Sequence, residues 1–147
     1  MNDLKTYTIT EDEKKDIISS VGSFLERDER IIFAYIFGSF VDPEMPFFRD
    51  IDIGVYVRDY KERDRETYEI ELPLELQRSS EYKYPFDIIV LNRADIFLIK
   101  NVIEGELLFT KDEDLWSDFV EKALLRYIDI APVFYRSFKE AYLENET

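Results

Sequence analysis

The chain has 147 residues and a formal net charge of −14 at pH 7, with 19 Lys plus Arg against 33 Asp plus Glu, and 46% hydrophobic and 16% aromatic residues. That size and apolar content suit one compact domain, while the acidic balance argues against nucleic acid as a partner, because binding its backbone relies on Lys and Arg displacing counterions. There are no cysteines and no histidines, which excludes disulfides, thiolate or imidazole zinc sites, cysteine nucleophiles and Ser-His-Asp catalysis, and leaves carboxylates as the acid/base and metal-binding groups.

Thr10 to Glu13 reads T-x-x-E, a capping box, and Ile17, Ile18, Val21, Phe24 and Leu25 follow at helical spacing, which predicts a helix from Glu11 to Glu26. Ile31 to Phe37, IIFAYIF, is a continuous β-branched and aromatic run that stops at Gly38, as a strand buried on both faces would. A loop with two prolines follows over Val41 to Phe48, and then Asp50 to Val57, DIDIGVYV, alternates strictly. This second strand puts Ile51, Ile53, Val55 and Val57 on one face and Asp50, Asp52, Gly54 and Tyr56 on the other.

Asp59 to Glu81 is dense in charge, with Tyr68, Leu72 and Leu76 four apart, the pattern of a solvated helix with one apolar stripe. Pro73 either kinks that helix or opens a second one. Pro85 to Asn92, PFDIIVLN, reads as a third strand, Ala94 to Ile103 as a short helix ended by Gly105, and ELLFT as a short fourth strand. From Asp114 on, Leu115, Phe119, Lys122 or Ala123, Tyr127, Ile130, Phe134 and Phe138 mark a long helix that Pro132 is expected to bend. Core packing of that helix accounts for most of its aromatic tail, although Tyr127, Phe134, Tyr135, Phe138 and Tyr142 are also where a partner surface is to be sought. The N-terminal stretch lacks a basic start followed by an apolar segment, and no uncharged apolar run approaches the roughly 18 residues that span a bilayer. The expectation is a cytoplasmic protein with a single domain over residues 1–147, a small mixed α/β sheet packed on helices.

Three features carry chemistry. A buried strand ending in Gly38-Ser39 exposes backbone N–H groups, the glycine permits close approach, and the serine hydroxyl can donate to a phosphate oxygen; alone, the pair is an ordinary strand-ending turn. Asp50 and Asp52, neighbours on one strand face, are arranged to hold divalent cations for an in-line displacement at phosphorus, with Mg²⁺ the natural choice and Mn²⁺ suited to the same ligands. A strand end facing water would explain the pair equally simply. Asp87, set among Phe86 and Ile88 to Leu91, needs a partner if buried, and a shared metal would supply one; its plainer reading is a capping carboxylate at the strand's start. Gly54, next on the aspartate face, fits a ligand that approaches closely.

Gly38-Ser39, ten intervening residues and then Asp50-x-Asp52 resemble the signature of the minimal nucleotidyltransferases of the DNA polymerase β superfamily, specifically the MntA-type antitoxins. Asp87 stands where that family has its third carboxylate, and LNRAD, VIEGELLF and RYIDIAP are similar to its tail. The resemblance runs from about Phe33 to about Phe138. Phe40 and Val41 depart from it, standing where the family often has a basic residue, and leave Arg49 or a partner residue to supply positive charge to a triphosphate. The resemblance implies a polymerase-β-like fold with a long C-terminal helix, and transfer of AMP from ATP to a tyrosine hydroxyl of a cognate HEPN-domain toxin, a HepT-like ribonuclease. It implies that Asp50, Asp52 and Asp87 bind the catalytic metal ions and that Gly38 and Ser39 orient the nucleotide phosphates. An antitoxin acting by contact alone, and a nucleotidyltransferase for small molecules such as antibiotics, are the alternatives. The acidic surface implies a salt-sensitive association with a more basic protein partner.

Overall fold

The computed structural model describes residues 5–81 and 83–142. Helix α1 (Glu11–Glu26) starts at the expected capping box: Glu13 N–H donates to Thr10 Oγ1 at 3.1 Å and Thr10 N–H to Glu13 Oε1 at 3.3 Å. Glu11, Asp12 and Glu13 place negative charge against the positive end of the helix. Strand β1 (Ile31–Phe37) is buried along its whole length, as its unbroken apolar run requires. A single 3₁₀ turn over Gly38–Phe40 ends it, and β2 (Ile51–Val57) returns antiparallel to it.

Between β2 and the next strand the charge-dense segment is helical, and it resolves the ambiguity at Pro73. A π turn over Thr67–Glu71 closes with the Leu72 N–H donating to Thr67 O and runs directly into α2 (Leu72–Ser79), so Pro73 lies inside one continuous helical segment, and the π turn just before it is where the regular hydrogen-bond ladder gives way. The expected stripe of Tyr68, Leu72 and Leu76 is buried. Strand β3 (Phe86–Val90) pairs parallel with β2, a 3₁₀ turn over Leu91–Arg93 leads to α3 (Ile96–Ile103), and β4 (Glu106–Thr110) pairs antiparallel with the far side of β1. The sheet order is β3-β2-β1-β4.

The strand alternation decides which helices cover which face. Ile51, Ile53, Val55 and Val57 join Phe86, Ile88 and Val90 under α1 and α2, while Phe33, Tyr35, Phe37 and Leu91 join Ile99, Val102 and Ala123 under α3 and α4. Buried Tyr35 keeps its hydroxyl satisfied by accepting from Trp116 Nε1 at 2.7 Å. Helix α4 (Glu113–Tyr142) continues through Pro132. Its aromatic tail corrects the expectation of core packing: Tyr127 is half-buried, but Phe134, Tyr135, Phe138 and Tyr142 are exposed. Among the described residues no helix is long and apolar enough to cross a membrane.

Candidate active site

The antiparallel return of β2 beside β1 brings the expected residues to one end of the sheet. Phe37, the last residue of β1, is level with Asp52, and Asp52 is level with Asp87 on the parallel neighbour β3. Asp50 immediately precedes β2. Gly38 follows Phe37 with φ +81°, a left-handed conformation that a side chain disfavours. The turn tucks its α-carbon against Asp52: a Cβ built on Gly38 would lie 2.6 Å from Asp52 Oδ2. Ser39 is half-buried in the same turn. All five residues singled out in the sequence therefore stand at one sheet edge.

The loop that delivers Asp50 is held by aromatic packing the sequence reading did not use. Phe40, directly after Ser39, is buried and meets Phe48 edge-on with centroids 4.9 Å apart. Phe48 in turn exchanges backbone hydrogen bonds with Tyr7 (2.8 and 3.1 Å) and packs against Tyr7 and Tyr84. Phe40 thus anchors the loop, which explains why an apolar residue can stand where the family often has a basic one. Arg49 is exposed, and among the described residues no carboxylate pairs with it.

Gly54 has a different role from the one its strand face suggests. A Cβ there would meet Val102 Cγ1 at 2.7 Å and Leu91 Cδ2 at 3.2 Å, so the close approach it allows is that of α3 onto the sheet and not that of a ligand. Gly105, just past the same C-terminal end of the helix, also permits a close approach, since a Cβ on it would fall 2.3 Å from Ile36 O. The two glycines let the end of α3 and the turn after it approach the central strands, Gly54 from β2 and Gly105 against β1. Asn92 also escaped notice; its side chain accepts from Val57 N–H at 2.9 Å and donates to Val57 O at 2.8 Å, clamping the far end of β2. No local signal marks such a clamp, because its partner Val57 lies 35 residues away in sequence.

The electrostatics at the sheet edge favour a cation. Burial is the largest influence on Asp52, followed by the like charges of Asp50 and Asp87 and a carboxyl hydrogen bond with Asp50; together they push it up to about 7. Asp87 is itself exposed, one strand away. Among the described residues no group of three or more His, Cys, Asp or Glu side chains is gathered closely enough to hold a metal ion. The adjacent Asp50 and Asp52 still fit Mg²⁺, which is usually bound through one or two carboxylates together with substrate phosphates and not by a complete protein cage.

A mixed sheet with helices on both faces, carrying paired aspartates beside a Gly-Ser turn at one strand end, is the architecture of a nucleotidyltransferase. The chain belongs to the Polymerase beta, Nucleotidyltransferase family, whose model matches residues 19–114. Among solved structures, it is similar to a chain from the complex of tri-AMPylated Shewanella oneidensis HEPN toxin with MNT antitoxin, with a TM-score of 0.61 and 18% identity over 90% of this chain and 97% of that one. It is equally similar to chains from the MntA-HepT toxin-antitoxin structure (TM-score 0.61, 18% identity, 89% and 97% covered) and from a toxin-antitoxin structure with AMP-PNP (TM-score 0.61, 19% identity, 88% and 97% covered). No curated protein matches the chain.

Proposed function

We propose that this chain is an antitoxin that transfers AMP from ATP to a tyrosine hydroxyl of a cognate HEPN-domain toxin. The observation that carries the reading is the meeting of the Gly38 turn with Asp52 and its neighbour Asp50 in a nucleotidyltransferase fold. Similarity to chains from complexes with a tri-AMPylated HEPN toxin and with AMP-PNP supports the substrate and the target.

In this reading Asp50 and Asp52 hold Mg²⁺, or Mn²⁺, against the ATP phosphates, and Asp87 contributes from β3. A divalent cation held by these carboxylates would neutralise charge on the phosphates and make the incoming hydroxyl more acidic, so that a chain without histidine would need no imidazole base. In the same reading the Gly38–Ser39 turn offers its backbone N–H groups and the serine hydroxyl to phosphate oxygens. The toxin hydroxyl oxygen bonds to the α-phosphorus, the bond from that phosphorus to the β-phosphate's bridging oxygen breaks, and pyrophosphate leaves. The hydroxyl proton passes to an aspartate or to water at the site. An exposed, metal-bearing sheet edge suits a protein substrate that must be approached from outside, and the acidic surface suits a basic one. A cytoplasmic location fits a partner of this kind.

Intact mass spectrometry of the HEPN protein encoded beside this chain, after incubation with it and Mg-ATP, tests the reading. A gain of whole AMP units, absent with Asp50→Ala plus Asp52→Ala, is the expected result. A tight complex with no mass gain would replace enzymatic neutralisation by neutralisation through contact.

A further inference from the structure

Helix α4 carries two apolar stripes, and the fold uses one. Phe119 packs on Phe33 and Tyr56 with centroids 5.4 and 5.5 Å away, and Phe97 of α3 holds Tyr127 and Phe134 at 5.8 and 4.9 Å. At about 100° per residue, Leu124, Ile128, Ala131, Tyr135, Phe138 and Tyr142 fall on the adjoining side of the helix, about 90° round from that stripe. Leu124 is 42% exposed, Ile128 64%, Tyr135 66%, Phe138 49% and Tyr142 63%. Their separations alternate four, three, four, three and four residues, which is the a/d seam of a coiled coil. The charged side chains of this stretch, Arg126, Asp129, Arg136, Lys139 and Glu140, all lie off the seam. Three are cations and two anions, so on a strongly acidic chain this is a segment where two copies meet without like-charge repulsion.

We propose that the seam pairs antiparallel with the same seam of a second copy of this chain. An alternating four-three pattern reads the same from both ends, so a two-fold axis beside Val133 sets Leu124 against Tyr142, Ile128 against Phe138 and Ala131 against Tyr135. Every layer then matches a smaller side chain with a larger one, and the Tyr135 ring fills the space above Ala131. The parallel alternative stacks Ala131 on Ala131 and Tyr135 on Tyr135, a void next to a crowded layer, which close packing disfavours. The tyrosine hydroxyls reach water at the margins. The pairing uses none of the side chains that hold α4 to the sheet, and it does not depend on AMP transfer.

Sedimentation equilibrium of the full chain tests it. The expected result is a concentration-dependent dimer that tightens with salt, because screening reduces the repulsion between two acidic bodies, and whose dissociation constant rises at least about tenfold with Ile128→Asp. Ile128 is exposed, so the circular dichroism and melting temperature of the isolated variant should be those of the parent monomer. The lack of cysteines allows the orientation to be read directly: under oxidation, Ala131→Cys mixed with Tyr135→Cys gives a disulfide dimer, and neither variant does so alone. A chain that stays monomeric at every concentration overturns the proposal, as does an Ala131→Cys chain that crosslinks to itself. A monomer whose Ile128 is needed to bind the HEPN toxin, or lipid vesicles, assigns the seam to that partner and overturns it equally.

Discussion

The Asp52 carboxylate lies against the α-carbon of Gly38, so close that a Cβ added there would stand 2.6 Å from Oδ2. The positive φ of Gly38 turns the chain away from β1, and the missing side chain leaves room for the carboxylate. Gly38→Ala adds about 1–2 kcal/mol of left-handed backbone strain and displaces Asp52 as well. Its expected effect is a loss of AMP transfer far beyond the loss of stability, checked by transfer assays beside thermal melts. Equal activity in folded Gly38→Ala would separate the turn from the aspartate's function.

If Asp52 holds the cation as proposed, the response to metal depends on pH. The folded value of Asp52, about 7, lies above the ordinary carboxylate value of about 4, so its contribution to stability is complete below about pH 4 and is lost as pH rises through about 7. A divalent cation binds the deprotonated form and reverses that loss. The rise in melting temperature on adding Mg²⁺ should therefore be larger at about pH 8 than at about pH 5.5. Asp52→Asn should reduce the rise at the higher pH. A metal effect independent of pH would argue against cation binding at Asp52.

Gly54→Ala distinguishes the packing of α3 from ligand binding. The new methyl group meets Val102 and Leu91, and overpacking of this kind costs about 1–3 kcal/mol, offset in part by the better strand propensity of alanine. Chemical denaturation should show lower stability, while nucleotide affinity per folded molecule stays the same. Unchanged stability with lost nucleotide affinity would return Gly54 to the ligand.

Asn92→Ala removes both hydrogen bonds to the Val57 backbone. The expected cost is about 1–3 kcal/mol, the usual penalty for leaving a strand group unpaired, measured as a lower denaturation midpoint with an unchanged slope. Because Asn92 holds the end of β2 away from the aspartates, substrate KM should not move.

The parts of this molecule that are local in sequence were legible there. The capping box at Thr10, the unbroken run of β1 and the alternation of β2 each occupy a few consecutive residues, and the boundaries follow from them. The aspartates were legible because a carboxylate in an apolar strand is conspicuous, as Asp87 is among Phe86 and Ile88. Gly54 was not, since the strand pattern places it correctly on the aspartate face but says nothing of Val102, which arrives from α3. Phe48 and Tyr84 likewise depend on the chain returning to Tyr7. In α4 both stripes have helical spacing, and which one is covered is decided by the sheet and α3, not by the helix itself. Pro73 was ambiguous for a similar reason, because the π turn that admits it is not a feature of local propensity.

Incubating the chain and the proposed HEPN-domain target with ATP labelled either at the α-phosphate or at the γ-phosphate reports which bond is broken and where the fragment goes. The account requires α-label, and no γ-label, to become covalently attached to a toxin tyrosine, with pyrophosphate released and all transfer lost in Asp50→Ala plus Asp52→Ala. Attachment of γ-label, or α-label transfer that persists in the double variant, would contradict it.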